Sequence, residues 1–441
     1  MQPEADPSAA LPLVSTPREA RPAVVWHPWT RAGFRFVCVY LFLYNFPFPI
    51  GAVPYTNWLS DKYTLLWQRI VPWVGKHILH LREDITVFTN GSGDTTFDYV
   101  NVLCYLAIAM VSAAVWTALD GKRSNYETLH RWLRVYVRLS LATAMVAYGM
   151  FKIIPSQFPA PGLSRLAQPY GDSSPMGLLW TFMGASMAYT IFAGSAEALA
   201  GVLLFIPRLA TLGGLAAIAV LTNVFMLNMC YDVPVKLYSF NLLMMAVFLV
   251  APDARRLVGL LVLRERVELH NEGSLFERKR FNQVGFAVQL LLGAVLIFTF
   301  GKQSWKQRSE FAAKPPHYGM WSVDEYVVDG QAHPALMTDT ARWRRVFLEY
   351  DGYAALLPMS GPRQSFLCQV DAAKKTITLG KRENKNWKSV LTLDDSKADT
   401  LLLKGEYDGH QLAVKLVREN PSTFLLANRG FHWINEFPFN R

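Results

Sequence analysis

Glu197 sits near the middle of the apolar run YTIFAGSAEALAGVLLFI (189–206), with Ala193 and Gly201 four residues to either side. A carboxyl group at membrane depth must be neutral, paired or hydrated, and such side chains are functional candidates by default. The small residues on its face invite a second helix to pack closely, so its other reading is a hydrogen bond that joins two helices. Lys152 closes an earlier apolar run in AYGMFKII, one turn after Tyr148; a lysine at a helix end can also simply snorkel to the interface. Asn223 and Asn228 close a third run in TNVFMLN, where asparagine can hold helices together. In NMCYDVPVKLYSFN (228–241), Asp232 stands two residues before Pro234, as the N-cap of a helix with proline in its first turn would. Lys236 lies one turn further on, where a charge prefers a polar pocket or an ion pair to lipid. Glu197, Lys152 and Lys236 are therefore the candidate catalytic residues, and Tyr148, Asn223, Asn228 and Asp232 the candidate ligand-binding residues. Together they outline an outer-facing cavity with Lys152 and Lys236 at its rim and Glu197 at its floor. Such a cavity suits an anionic or quinone-like head group.

The elements that must position these residues are long apolar stretches. The chain has 441 residues, 51% hydrophobic and 18% charged, with a mean hydropathy of +0.15, against about 25% charged residues in soluble chains. The depletion is concentrated in the first 300 residues. Candidate spans lie near 34–53, 98–119, 132–153, 185–206, 209–229, 235–251 and 282–300, which predicts an all-α bundle of about seven transmembrane helices. Lys and Arg cluster before the first span, between the second and third, between the fourth and fifth and before the last. This bias places the N-terminus in the cytoplasm and the C-terminal domain outside it. The net charge of +10 is then a topology signal, and no nucleic-acid footprint is visible in it. The expected organisation is a cytoplasmic segment over 1–30, a helix bundle over 31–302 and an extracytoplasmic β domain over 303–441, in a bacterial inner membrane. Residues 62–81 read as a helix on the membrane surface, bent at Pro72. Residues 155–184 read as a long connection with a short re-entrant or interfacial helix capped by Ser173 or Ser174.

The tail changes period. RVFLEY, QSFLCQVD, KTITLGK, SVLTLD, DTLLLKGEYDG, QLAVKLVRE and TFLLANR are strand-length and separated by turn residues, which predicts an antiparallel meander closed into a barrel. Its opening, HYGMWSVDEYVVDG, resembles a lipocalin-type first strand, with Gly319 and Trp321 in a Gly-x-Trp pattern. A barrel of this size can hold one small ligand or be filled by its own side chains. Cys38, Cys104, Cys230 and Cys368 form no C-x-x-C pair, which argues against paired-thiol chemistry. No metal-ligand spacing appears, and no histidine lies deep in a predicted span, which disfavours haem. No cofactor is named by a motif; a quinone is the one the polar residues would suit.

Residues 130–260 resemble the DoxX family of small four-helix membrane proteins. The resemblance rests on YGMFK, AEALAGVLL, PRLATLGGL and NMCYDVPVKLYSFNLLMMAVFLVAPDARRL. It implies a bundle core and, through relatives associated with thiosulfate:quinone oxidoreductase, a redox or quinone-handling subunit with a membrane redox partner. A more distant similarity, to vitamin K-dependent carboxylase-like membrane proteins, would make Lys152 a buried base. The competing class is a non-enzymatic scaffold or lipid/ligand carrier acting through the barrel on a small apolar ligand. In every reading the lipid bilayer is a partner.

Overall fold

The computed structural model describes residues 25–50, 57–87, 91–266 and 275–440. Most of the expected cytoplasmic segment 1–30 lies outside the described residues, as do residues 51–53 of the first expected span. The helices are α1 (Pro28–Asn45), α2 (Asn57–His77), α3 (Thr96–Leu119), α4 (Glu127–Ile153), α5 (Leu163–Leu166), α6 (Pro175–Ala185), α7 (Met187–Phe205), α8 (Ala210–Cys230), α9 (Lys236–Val250), α10 (Ala254–Val258), α11 (Lys279–Ala312) and α12 (Leu425–Asn428). Each of the seven stretches expected to cross the membrane contains a helix.

The count of seven spans does not stand. Four helices among the described residues are long and apolar enough to cross a bilayer: Thr96–Leu119, Met187–Phe205, Pro207–Cys230 and Lys279–Ala312. The other three fall short for physical reasons. Helix α1 has 18 residues and carries Arg31 and Arg35 in its first half. Helix α4 carries Arg131, Arg134, Arg138 and Lys152. Helix α9 has 15 residues, about 22 Å at 1.5 Å per residue, against a hydrocarbon core of about 30 Å.

The charged helix α4 is nevertheless the centre of the bundle. Its Val137, Leu141, Ala142 and Val146 are fully buried against Ala200 and Leu204 of α7, Ala217 of α8 and Ala246 of α9. Small residues let α4 and α7 touch backbone to backbone. A Cβ on Gly194 would lie 2.5 Å from Lys152 Cβ and 2.7 Å from the Gly149 carbonyl oxygen. Two arginines of the bundle, Arg138 and Arg35, are buried with partners. Arg138 donates to the Leu204 carbonyl at 2.9 Å and to Gln289 Oε1 at 2.5 Å. Arg35 donates to the Tyr126 hydroxyl, Thr117 Oγ1 and the Asp120 carbonyl. Outside the bundle, α2 holds Pro72 within its length and exposes Trp58, Leu65, Leu66 and Trp73. Ser174 caps α6, accepting from the Gly177 N–H at 3.1 Å.

The β domain is an antiparallel meander of β1 (Gly319–Val328), β2 (Gln331–Ala332), β3 (Trp343–Tyr350), β4 (Tyr353–Pro358), β5 (Gln364–Asp371), β6 (Thr376–Gly380), β7 (Lys388–Asp394), β8 (Thr400–Tyr407) and β9 (His410–Glu419). Pairing of β1 with β9 closes it into an eight-stranded barrel, with the two-residue β2 as an addition to β1. Two Asp-Gly pairs make two of its hairpin turns: Asp329 and Gly330 have φ of 50° and 82°, Asp408 and Gly409 of 47° and 84°, as type I′ turns require. Trp321 is 1% exposed and lies under the Arg418 guanidinium, 4.8 Å from its ring centre. The stretch TFLLANR is not a strand: it folds as a 3-10 turn and the short helix α12.

Barrel and bundle are in contact. Leu163 of α5 is buried with Met320, Phe347 and Ala355 of the barrel. The buried Glu349 of β3 accepts the backbone N–H groups of Leu163 at 2.8 Å and Ser164 at 3.4 Å.

Candidate functional site

A cavity of about 120 Å³ opens between α4, α6, α7, α8 and α9. It is lined by Tyr148 and Lys152 from α4, Glu197 from α7, and Asn223 and Asn228 from α8. Five of the seven residues singled out in the sequence thus converge. Around them the walls are apolar and aromatic, including Phe158, Trp180 and Tyr238. An engineered cavity of about 150 Å³ accepts benzene, so this space is of the order of a single ring.

Glu197 and Lys152 form a buried ion pair, with Lys152 Nζ donating to Glu197 Oε2 at 2.7 Å and the side chains 8% and 6% exposed. Lys152 reaches Glu197 because Gly194 and Gly149 bring the two helices together. The ammonium also lies 5.5 Å from the Tyr148 ring centre and 5.8 Å from that of Phe158, within the range of cation–π attraction. Asn228 is fixed from below, its amide donating to Ser239 Oγ at 3.0 Å. Gln157 has no such anchor: its Oε1 is buried without a hydrogen-bond partner at the cavity wall. A buried acceptor of this kind costs free energy until a donor meets it. The cavity thus offers an ammonium that can donate and an amide oxygen that lacks a donor.

Lys236 and Asp232 do not belong to it. Lys236 Nζ pairs with Asp232 at 2.9 Å and with Asp94 at 3.7 Å, and neither residue lines the cavity. Asp232 does not cap α9 either. It sits at φ 51° with its side chain 84% exposed. The cap comes from Asp94, whose carboxylate accepts the N–H groups of Lys236 at 2.8 Å and Leu237 at 2.9 Å. Asp94 belongs to the turn before α3, joined to this region by the Gly93 N–H donating to the Pro234 carbonyl at 2.7 Å. A partner 142 residues away leaves no local trace in the sequence. Gln157, Phe158 and Trp180 escape the sequence for a milder reason: they lie in the long connection 155–184, where no single residue stands out.

A second cavity of about 670 Å³ lies in the barrel, walled by Tyr326, Trp343, Leu356, Tyr407 and Leu412. At its edge Asp329 accepts from the His410 ring at 2.7 Å and from the Gln411 N–H at 2.8 Å. The His410 contact, followed by the backbone N–H, holds the Asp329 carboxyl below its usual range.

Fold and site together define a helical bundle, four of whose described helices have membrane-crossing length and composition, with a polar-floored internal cavity and an appended β-barrel. Over 125 residues, 28% of this chain and 78% of the relative, the sequence is 34% identical to the uncharacterized protein YwoB of Bacillus subtilis (strain 168). The chain belongs to that protein's family. No family model matches the chain, and no solved structure matches it.

Proposed function

We propose that the bundle is a quinone-handling membrane subunit of DoxX type, holding a quinone or quinol head group in the cavity at the Lys152–Glu197 pair. The observation that carries this reading is the coincidence, in one ring-sized apolar space, of a buried ion pair and an unpartnered Gln157 oxygen. A quinone carbonyl would accept from Lys152 Nζ, and a quinol hydroxyl would donate to Gln157 Oε1. The reduced form satisfies both groups, so quinol binds more tightly than quinone. Electron transfer itself would fall to a membrane redox partner. Lys152 faces a carboxylate as one half of a charge pair, which suits a donor better than the free amine a carboxylase-type base requires. In this reading α1, α4 and α9, packed against crossing helices, are embedded with them, and the assembly sits in a bacterial inner membrane with the barrel outside the cytoplasm.

The test is to purify the full chain in mild detergent and analyse the extracted lipids for quinones. Co-purifying quinone, with added ubiquinol-1 bound more tightly than ubiquinone-1, is the expected result. Retention unchanged in both Gln157→Leu and Glu197→Gln would overturn it. The second reading, a ligand carrier, is favoured by the barrel cavity, whose volume of about 670 Å³ lies in the usual range of small-molecule sites. An apolar ligand extracted from the protein and lost in Trp343→Ala alone would favour that reading.

A further inference from the structure

The last described segment of the chain is apolar and uncovered. Phe431 is 77% exposed, Trp433 91%, Ile434 78% and Phe437 83%. Scattered exposed apolar residues are ordinary, but a contiguous set of this kind marks an interaction surface. Nor is the segment a loose end. Arg429 Nη2 donates to Asn435 Oδ1 at 2.7 Å, its Nη1 lies 2.6 Å from His432 Nδ1, and its guanidinium sits 4.6 Å from the Phe439 ring centre. Phe431 and Trp433 meet edge to face at 5.0 Å. His432, Asn435 and Phe439 gather around Arg429, and Phe431, Trp433, Ile434 and Phe437 are left uncovered.

Where the segment starts tells what covers it. Phe424, at its root, packs on the cluster of Leu163, Met320, Phe347 and Ala355. That cluster is the contact between barrel and bundle, so the segment leaves the barrel on the side that faces the bundle. The junction is marked on α11 by Phe311, which meets Tyr350 of the barrel at 6.4 Å. The apolar part of α11 ends near Phe300, so the junction stands about 15 Å beyond it, at 1.5 Å per residue. Extended, the chain from Arg429 spans about 14 Å to Trp433 and about 28 Å to Phe437, which is comparable with the distance back to the bilayer surface. Tryptophan and phenylalanine are side chains that the headgroup zone selects, and here they stand with one arginine and one glutamate.

We propose that residues 425–440 form an interfacial anchor, with Phe431, Trp433, Ile434 and Phe437 seated in the headgroup zone of the leaflet next to the barrel. The anchor would hold the barrel down over the bundle independently of what either cavity binds.

The full chain, reconstituted in vesicles of phosphatidylcholine and phosphatidylglycerol at 3:1, carries a nitroxide side chain in place of Trp433, introduced by codon suppression so that the four cysteines stay. A second sample carries it at Val390, 51% exposed on the barrel wall. Collision with dissolved oxygen, relative to a water-soluble nickel chelate, should be several-fold greater at 433 than at 390, and likewise at 437. A ratio at 433 equal to that at 390 means the segment lies in water and overturns the proposal. Low collision with both agents means a protein surface covers it and overturns it as well.

Discussion

Lys152 and Glu197 are each other's main partner, and the consequence is a stability test that separates structure from ligand binding. Removing one charge leaves the other buried and unpaired, a loss of ~3–5 kcal/mol, whereas replacing both by apolar residues of similar size is often nearly neutral. Lys152→Met should therefore lower the thermal midpoint strongly. The double variant Lys152→Met, Glu197→Leu should recover most of the loss while quinol retention stays absent. Recovery of stability together with retention would place the ligand elsewhere. At the barrel edge a different residue pair gives a pH signature. The Asp329 carboxyl is held down by the His410 ring, so its folded pKa lies below the unfolded value of about 3.9. The stability this contributes is fully present above that unfolded value and is lost as pH falls through the folded one. His410→Ala should flatten the stability of the barrel against pH below about 4, as read by tryptophan fluorescence on acid titration. An unchanged profile would show that Asp329 titrates without help from His410.

Among the elements, the pair α4 and α7 carries the cavity, and its geometry depends on Gly194. A methyl group there would press on Lys152 Cβ and on backbone; overpacking of this kind costs ~1–3 kcal/mol. Gly194→Ala should lower the thermal midpoint and weaken quinol retention together, because the helices must part and carry Lys152 away from Glu197. Stability lost with retention intact would show that the pair tolerates a wider spacing. The sequence made much of this element structure legible, since helices and strands follow local period. Tyr148, Lys152, Glu197, Asn223 and Asn228 could be singled out because polar residues in apolar runs are conspicuous. Errors arose where tertiary context overrides local pattern. The strand β4 reads YAALLP, too uniformly apolar to show alternation, while FLLAN alternates poorly and is helical. Asp232 looks like a cap on its own sequence, yet a distant loop brings Asp94 to do the work. The span count failed because apolar periodicity reveals a helix but not whether its charges and length suit a bilayer.

At the scale of the molecule, barrel and bundle are coupled through a carboxylate as well as an apolar cluster. Glu349 of β3 reaches across to the first N–H groups of α5, and the adjacent Gly162 leaves room for it: a Cβ there would fall 1.6 Å from Glu349 Oε1. The main barrel core, from Trp321 through Leu416, is internal to the β domain, which predicts that the barrel retains its strands when the contact is broken. The smaller cluster of Met320, Phe347 and Ala355 is shared with Leu163, so part of its burial depends on docking. A hydrogen bond to a charged group contributes ~1.5–3 kcal/mol, and the Leu163 amide reports directly on this one. In Glu349→Ala, hydrogen exchange at Leu163 and Ser164 should accelerate by about tenfold or more, 1.4 kcal/mol corresponding to a factor of ten, while amides of β6 and β7 stay protected. Gly162→Ala should reproduce the effect through steric displacement, with Glu349 itself intact. Equal acceleration across β6 and β7 would show that the barrel cannot stand without the bundle. Unchanged exchange at Leu163 in both variants would show that docking rests on the apolar cluster alone.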